Sequence, residues 1–231
     1  MTPKKKRVLL EGKIDRVDVI ADQAAVAVID YKMGGSRLGL ERVYHGLSLQ
    51  LLTYLLVLRE NGEQLTGQKM TPAAGFYVKL LRQLDQVAHP ADADVEDPAL
   101  HDLRVKPNGI FEGAFFKSLD GNCNGGQSEV VNAYVKKDGS FGKKSSTDVA
   151  DRDEFNALID HVRQQIALLA DQILDGQIDI LPFQIRTQSP CPNCDFRPLC
   201  RFDPAINRYR HLEPIKREDV LGRVVAERSG Q

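Results

Sequence analysis

Two β-rich segments separated by a hairpin-length turn open the chain, and they constrain the fold more than any other feature. Val8 to Ile20 and Ala24 to Lys32 flank Asp22-Gln23, so the spacing predicts an antiparallel pair. Thr71 to Leu81 reads as a third strand. Between them Arg42 to Arg59 is Leu-rich and reads as one long helix running through Gly46. Asp151 to Leu174 carries Phe155, Leu158, Ile159, Val162, Ile166, Leu169 and Ile173 at helical spacing, with Gly176 as its C-terminal cap. Strands and helices alternate imperfectly after an opening hairpin. The fold class is therefore α/β, a mixed β-sheet flanked by helices.

The 42 % hydrophobic and 27 % charged residues, over 231 positions, exclude a disordered or fibrous chain. Thirty-one basic against 32 acidic residues leave a net charge of −1, so a nucleic-acid footprint has to be local. No run reaches the roughly 18 apolar residues of a membrane span, and the N-terminus lacks the apolar stretch of a signal peptide. Membrane partners are therefore not expected. Trp is absent, which makes the expected core aliphatic. Residues 83–127 read as an irregular insertion: Gln83 to Lys106 is polar with two prolines, and Asp120 to Gln127 is Gly/Asn-rich.

With a two-residue turn at Asp22-Gln23, Asp15 falls directly opposite Asp30. Such partners have Cβ atoms about 4.5–5.5 Å apart, and like charges there destabilise a sheet unless a cation lies between them. Lys32, two residues beyond Asp30, projects from the same face. Two carboxylates and an ammonium on one face are the parts of metal-assisted phosphodiester hydrolysis. They also read as strand-end acids with Lys32 as a salt-bridge partner, and a one-residue slip would separate them. Asp18 falls on the opposite face, which makes it structural.

The order Gly12-Lys13-Ile14-Asp15, then Asp30-Tyr31-Lys32, then Gln50-Leu51-Leu52-Thr53-Tyr54 resembles the PD-(D/E)xK nuclease superfamily, in its RecB-like branch. Gln50 and Tyr54, at i and i+4, share a helical face. The resemblance implies a restriction-endonuclease-like fold and a DNA exonuclease. It further implies catalytic roles for Asp15, Asp30, Lys32, Gln50 and Tyr54, and Mg²⁺ (or Mn²⁺) held by Asp15, Asp30 and the carbonyl of Tyr31.

Of four cysteines, Cys191, Cys194 and Cys200 fall close together in a proline-punctuated stretch, and Cys123 stands apart. Without a signal peptide, such a cluster reads as a metal site in a reducing cytosol, zinc knuckle or iron–sulfur. Its flanks, Gly176 to Pro182 and Cys191 to Asp203, resemble the end of the nuclease domain in the AddB chain of bacterial AddAB-type helicase–nucleases. That resemblance implies a [4Fe–4S] cluster on Cys191, Cys194 and Cys200 that staples the domain over segment 186–203. It implies DNA and a helicase–nuclease partner subunit as partners, in a bacterial cytoplasm. In that family the fourth ligand precedes the first strand, where this sequence has no cysteine. Either Cys123 substitutes or, as the better reading, the chain is a piece of a longer subunit, with its nuclease domain over 1–203, an extension over 204–231 and the fourth ligand outside it. A CRISPR-associated exonuclease carries the same motifs, and a catalytically idle DNA-binding or docking module is the reading outside enzymes.

Several weaker signals remain. Pro3 to Arg7 resembles a nuclear-localisation tract, better read as a solvated tail. Arg186, Arg197, Arg201, Arg208 and Arg210 surround the cysteines and suit either a DNA backbone or plain solubility. Glu41 is a further acid near the site. No G-x-x-x-x-G-K-[ST] loop is present, so ATP hydrolysis is not encoded in these residues.

Overall fold

The computed structural model describes residues 2–34, 37–80 and 106–230. The opening hairpin is present, but it is shorter than the pattern suggests. β1 is Arg16–Ile20 and β2 is Ala25–Lys32. A short 3₁₀ turn over Ala21–Gln23 joins them, with Ala24 at φ +46°. The loop is thus longer than two residues. It nevertheless preserves parity, and Arg16 pairs with Ile29 through to Ile20 with Ala25. Residues 8–15, expected in the first strand, lie outside it, with Leu9 79 % exposed. The ladder ends where the Asp15 carboxylate, rather than a main-chain carbonyl, accepts the N–H of Tyr31.

The Leu-rich segment divides into two helices, α1 (Leu40–Tyr44) and α2 (Gln50–Thr66). Gly46 interrupts it at φ +75°, a conformation that disfavours any side chain. Leu47 N–H bonds to the carbonyl of Arg42 and Gly46 N–H to that of Val43, which is a Schellman stop. β3 (Thr71–Lys79) then returns parallel to β2.

Residues 83–105 of the expected insertion lie outside the described residues; Asn108 to Leu119 of its remainder is regular, whereas Asp120 to Gly125 is turn and bend. β4 (Asn108–Glu112) runs antiparallel to β3 in the middle of the sheet. Gly109 is required there, because a Cβ would lie 1.9 Å from the carbonyl oxygen of Gly75. Phe115 and Phe116, the latter opening the short helix α3 (Phe116–Leu119), are likewise buried, and a small hairpin of β5 (Gly126–Gln127) and β6 (Tyr134–Val135) comes after them. β7 (Val149–Ala150) completes the main sheet in the order β1-β2-β3-β4-β7.

α4 (Arg152–Leu174) starts on a capping box: Asp151 Oδ1 accepts Glu154 N–H at 2.9 Å and Glu154 Oε2 accepts Asp151 N–H at 3.0 Å. It ends in a second Schellman stop at Gly176 (φ +71°). Its apolar stripe outruns the core: Phe155, Leu158, Ile159 and Val162 are buried, whereas Ile173 is 75 % exposed. Downstream, β8 (Phe183–Ile185) pairs in parallel with β9 (Arg210–Leu212), and the cysteine segment with its short helix α5 (Arg197–Cys200) forms the loop between them. α6 (Arg217–Ser229) closes the chain.

Alternation in β2 sends Val26 and Val28 to one face and Ala27 to the other. The first face packs against Leu51, Leu52 and Leu55 of α2, Phe155 and Leu158 of α4, and Val220, Leu221 and Val224 of α6. Each such buried side chain contributes about 1.5–3 kcal/mol. The C-terminal segment, expected as an extension beyond the domain, is therefore part of its core. Phe76 and Phe111 pack on the second face with Phe116 and Val135. The result is a central mixed sheet flanked by helices. No helix among the described residues is long and apolar enough to cross a membrane.

Candidate active site

The C-terminal end of β2 meets the N-terminus of α2, and four of the sequence-selected side chains join there in one bonded chain. Asp30 is 3 % exposed and forms an ion pair with Lys32, whose Nζ lies 2.5 Å from Oδ2. That approach lacks hydrogen-bond geometry, and Oδ2 has no hydrogen-bond partner among the described residues. Lys32 Nζ donates to Gln50 Oε1 at 3.0 Å, and Gln50 Nε2 donates to Tyr54 Oη at 2.9 Å. The pair Asp30 and Lys32 shares a face because strands repeat every two residues; Gln50 and Tyr54 do so because they are one helical turn apart.

Asp15 is exposed and lies one residue beyond the last paired position, opposite Asp30. Its Oδ2 accepts the N–H of Tyr31 at 3.0 Å, which fixes the peptide between Asp30 and Tyr31. The ion pair with Asp30 raises the Lys32 pKa against the opposing effect of burial, so its ammonium stays charged.

Tyr77 was not legible as a site residue. It pairs with Asp30 across the parallel β2–β3 ladder, and the Lys32 ammonium sits 5.4 Å from its ring centroid. Burial raises its pKa, while contacts to the Ser48 side chain and the Leu51 backbone oppose the shift. Only the register of two strands some 40 residues apart in sequence, roughly one crossover unit, brings it here.

Two further acids hold structural positions, Glu41 against its expectation and Asp18 in line with it. Glu41 accepts Ile215 N–H at 3.1 Å and contacts Arg186 at 3.3 Å, so it anchors the C-terminal segment. Asp18 is bound by Arg16 at 2.7 and 2.9 Å, away from the Asp30 face. The basic tract near the N-terminus is fastened at one end, where Lys4 pairs with Asp175 and the preceding Thr2 Oγ1 donates to Asp171 at 2.5 Å, while Lys5, Lys6 and Arg7 are exposed. A groove of about 690 Å³ lies between that segment, α2 and α4, away from the acids.

Among the described residues, no three His, Cys, Asp or Glu side chains converge closely enough to hold a metal ion. Asp15 and Asp30 are a set of two. A buried carboxylate oxygen that no described donor bonds, across from a second carboxylate, is a donor set that suits a hard divalent cation. Cys191, Cys194 and Cys200 line one cavity of about 80 Å³ with Phe202 and Tyr209. As they stand they form no complete ligand set, although their shared cavity and soft donors suit a thiophilic centre. Cys123 packs elsewhere, against the cluster of Phe111 and Phe116. The loop docks on α1 through Arg42 over the Phe183 ring, at 5.7 Å, and Glu41 to Arg186.

Residues 2–201 match the PD-(D/E)XK nuclease superfamily. Proteins named as the B subunit of an ATP-dependent helicase/deoxyribonuclease align with nearly the whole chain. The one from Symbiobacterium thermophilum is 37 % identical, over 95 % of this chain and 19 % of its own length. That of Geobacillus kaustophilus is 35 % identical, over 96 % and 19 %. That of Listeria welshimeri is 33 % identical, over 92 % and 19 %. The chain thus spans about a fifth of these relatives. With a family match over most of its length, and the mixed sheet and flanking helices already described, the chain belongs to the PD-(D/E)XK nuclease superfamily.

Proposed function

We propose that this chain is the Mg²⁺-dependent DNA exonuclease domain of a helicase–nuclease subunit that processes double-strand breaks. The observation that carries the reading is the continuous array Asp30–Lys32–Gln50–Tyr54, with Asp15 fastened to the Tyr31 amide. Asp15, Asp30 and the Tyr31 carbonyl would hold Mg²⁺ or Mn²⁺. A bound divalent cation supplies a more acidic water and offsets charge developing at phosphorus. Lys32, held cationic by Asp30, orients the attacking water or a phosphoryl oxygen. Gln50 fixes the Lys32 ammonium, and Tyr54 fixes the Gln50 amide. DNA, as a single strand or a duplex end, is the substrate. The partner is a helicase–nuclease subunit in a bacterial cytoplasm, in keeping with the names of the relatives. Cys191, Cys194 and Cys200 would bind a [4Fe–4S] cluster, its fourth ligand supplied from outside this chain, that staples the C-terminal loop.

The test is digestion of end-labelled single-stranded and duplex DNA with Mg²⁺, Mn²⁺ or EDTA. Metal-dependent release of nucleotides, lost in Asp30→Ala and Lys32→Ala with circular dichroism unchanged, is the expected result. Equal cleavage by wild type and Asp30→Ala would refute the assignment.

A further inference from the structure

Beside this site lies a cavity of about 600 Å³ lined by a half-buried cation that no described acid pairs with directly. Its walls include Arg37, Asn108, Ser145 and Arg217, together with the carboxylates Glu41 and Asp148. Arg217 opens α6, and its Nε and Nη2 are shielded from water with no hydrogen-bond partner among the described residues. Burial pulls its pKa below the ordinary guanidinium value. Asp148 and Glu154 offset its charge through space without bonding it, and their oxygens are held by other donors. Asp148 accepts Gly109 N–H at 3.0 Å and the Asn132 amide at 3.2 Å. Glu41 accepts Ile215 N–H and contacts Arg186. Glu154 is taken up by Asp151 N–H and Lys144. Leaving buried guanidinium donors unbonded is costly, so these donors call for an acceptor oxygen, from water or from an anion.

The position of the cavity indicates which acceptor. Asp30 pairs with Tyr77, and Tyr77 pairs with Asn108. All three lie in one row on the sheet face that carries Val28 and Ile110. Two strand spacings separate Asp30 from Asn108, about 10 Å. Asn108 Oδ1 accepts Leu38 N–H at 2.6 Å, which fastens the loop leading on from Lys32 to the cavity wall. A planar guanidinium fork, a second arginine and the Ser145 hydroxyl match a phosphate oxygen pair.

We propose that this cavity binds a backbone phosphodiester of the DNA strand, a few nucleotides from the bond held at Asp30. This rests on the nuclease reading above and adds a second anchoring point that would set the strand's path across the end of the sheet. Arg217, which lines the cavity and would turn its shielded Nε and Nη2 toward the phosphate, is the primary contact; Arg37, exposed at the mouth, is the secondary one.

The test uses the full chain carrying Asp30→Ala, without divalent metal, and measures binding of a short labelled oligo-dT strand across a salt series. Arg217→Gln is expected to weaken binding about tenfold, and to lower the slope of log K against log salt by roughly 0.7. A strand of the same length without bases should lose the same factor, because only the backbone is read. Arg37→Gln should shift affinity in the same direction by a smaller factor, and it serves as the readout if Arg217→Gln melts early. Unchanged affinity and slope in both variants would overturn the proposal. So would a variant that loses only its thermal stabilisation by inorganic phosphate, which would assign the cavity to a free anion. Cleavage by the otherwise wild-type chain is scored separately. If it depends on Asp30 while oligo-dT binding ignores Arg217, the cavity fails and the nuclease reading stands.

Discussion

At the scale of single residues, local spacing carried much of the candidate site. The i, i+2 relation of Asp30 and Lys32 and the i, i+4 relation of Gln50 and Tyr54 are properties of any strand and any helix. The parity of the hairpin survives its longer loop, so Asp15 still falls opposite Asp30. Tyr77 was illegible because a parallel register is set by a crossover, not by neighbouring residues. Gln50 is the hinge of the array, accepting from Lys32 and donating to Tyr54. Gln50→Ala is expected to reduce the rate of DNA digestion by about 10–100-fold at unchanged melting temperature, the loss of roughly 1.4–2.7 kcal/mol of positioning. Steady-state digestion with labelled DNA checks it, and an unaltered rate would detach α2 from the chemistry.

At the scale of elements, caps decide where helices stop. The Leu-rich run carries the periodicity of one helix, yet the positive φ at Gly46 divides it and aims α2 at the acids. A Cβ at Gly46 would also meet Gln165 Oε1 at 3.2 Å. Gly46→Ala is therefore expected to destabilise the fold by roughly 1–2 kcal/mol, as left-handed non-glycine residues do, read as a lower urea midpoint at constant m. The boundaries of α4 were legible because Asp151 and Glu154 form a local signature. Asp151→Ala should cost about 1 kcal/mol in the same titration, from loss of the cap. β4 was illegible: flanked by polar sequence, Asn108–Glu112 is a strand only because β3 and β7 lie on either side.

At the scale of the molecule, the chain is tied together from its far end. Val220, Leu221 and Val224 of α6 fill the same core as α2 and α4, and Asp160 on α4 gathers Arg59 of α2 and Arg228 of α6. Hydrophobic patterning marks helices but not which core each enters, so residues beyond 203 read as an extension of the domain. Leu221→Ala is expected to cost about 2–5 kcal/mol, as truncation of a fully buried leucine does, measured by thermal melting. The cysteine loop belongs to this scale too, since β8, β9 and the contacts to α1 close it on the domain. Anaerobically purified protein is expected to carry iron in excess of zinc, with Cys194→Ala lowering the melting temperature, because ligand binding stabilises the folded state. Stoichiometric zinc without iron would refute the cluster.

The proposed chemistry rests on the hairpin carboxylates as a divalent-cation site, and calorimetric titration of the protein with Mn²⁺ tests that site without recourse to activity. Asp30→Asn keeps the shape of the side chain and removes its charge. Wild type is expected to bind Mn²⁺ at the hairpin, and Asp30→Asn to bind it at least about tenfold more weakly, a loss of roughly 1.4 kcal/mol or more. Equal Mn²⁺ affinity in the two proteins would contradict a cation site at Asp15 and Asp30.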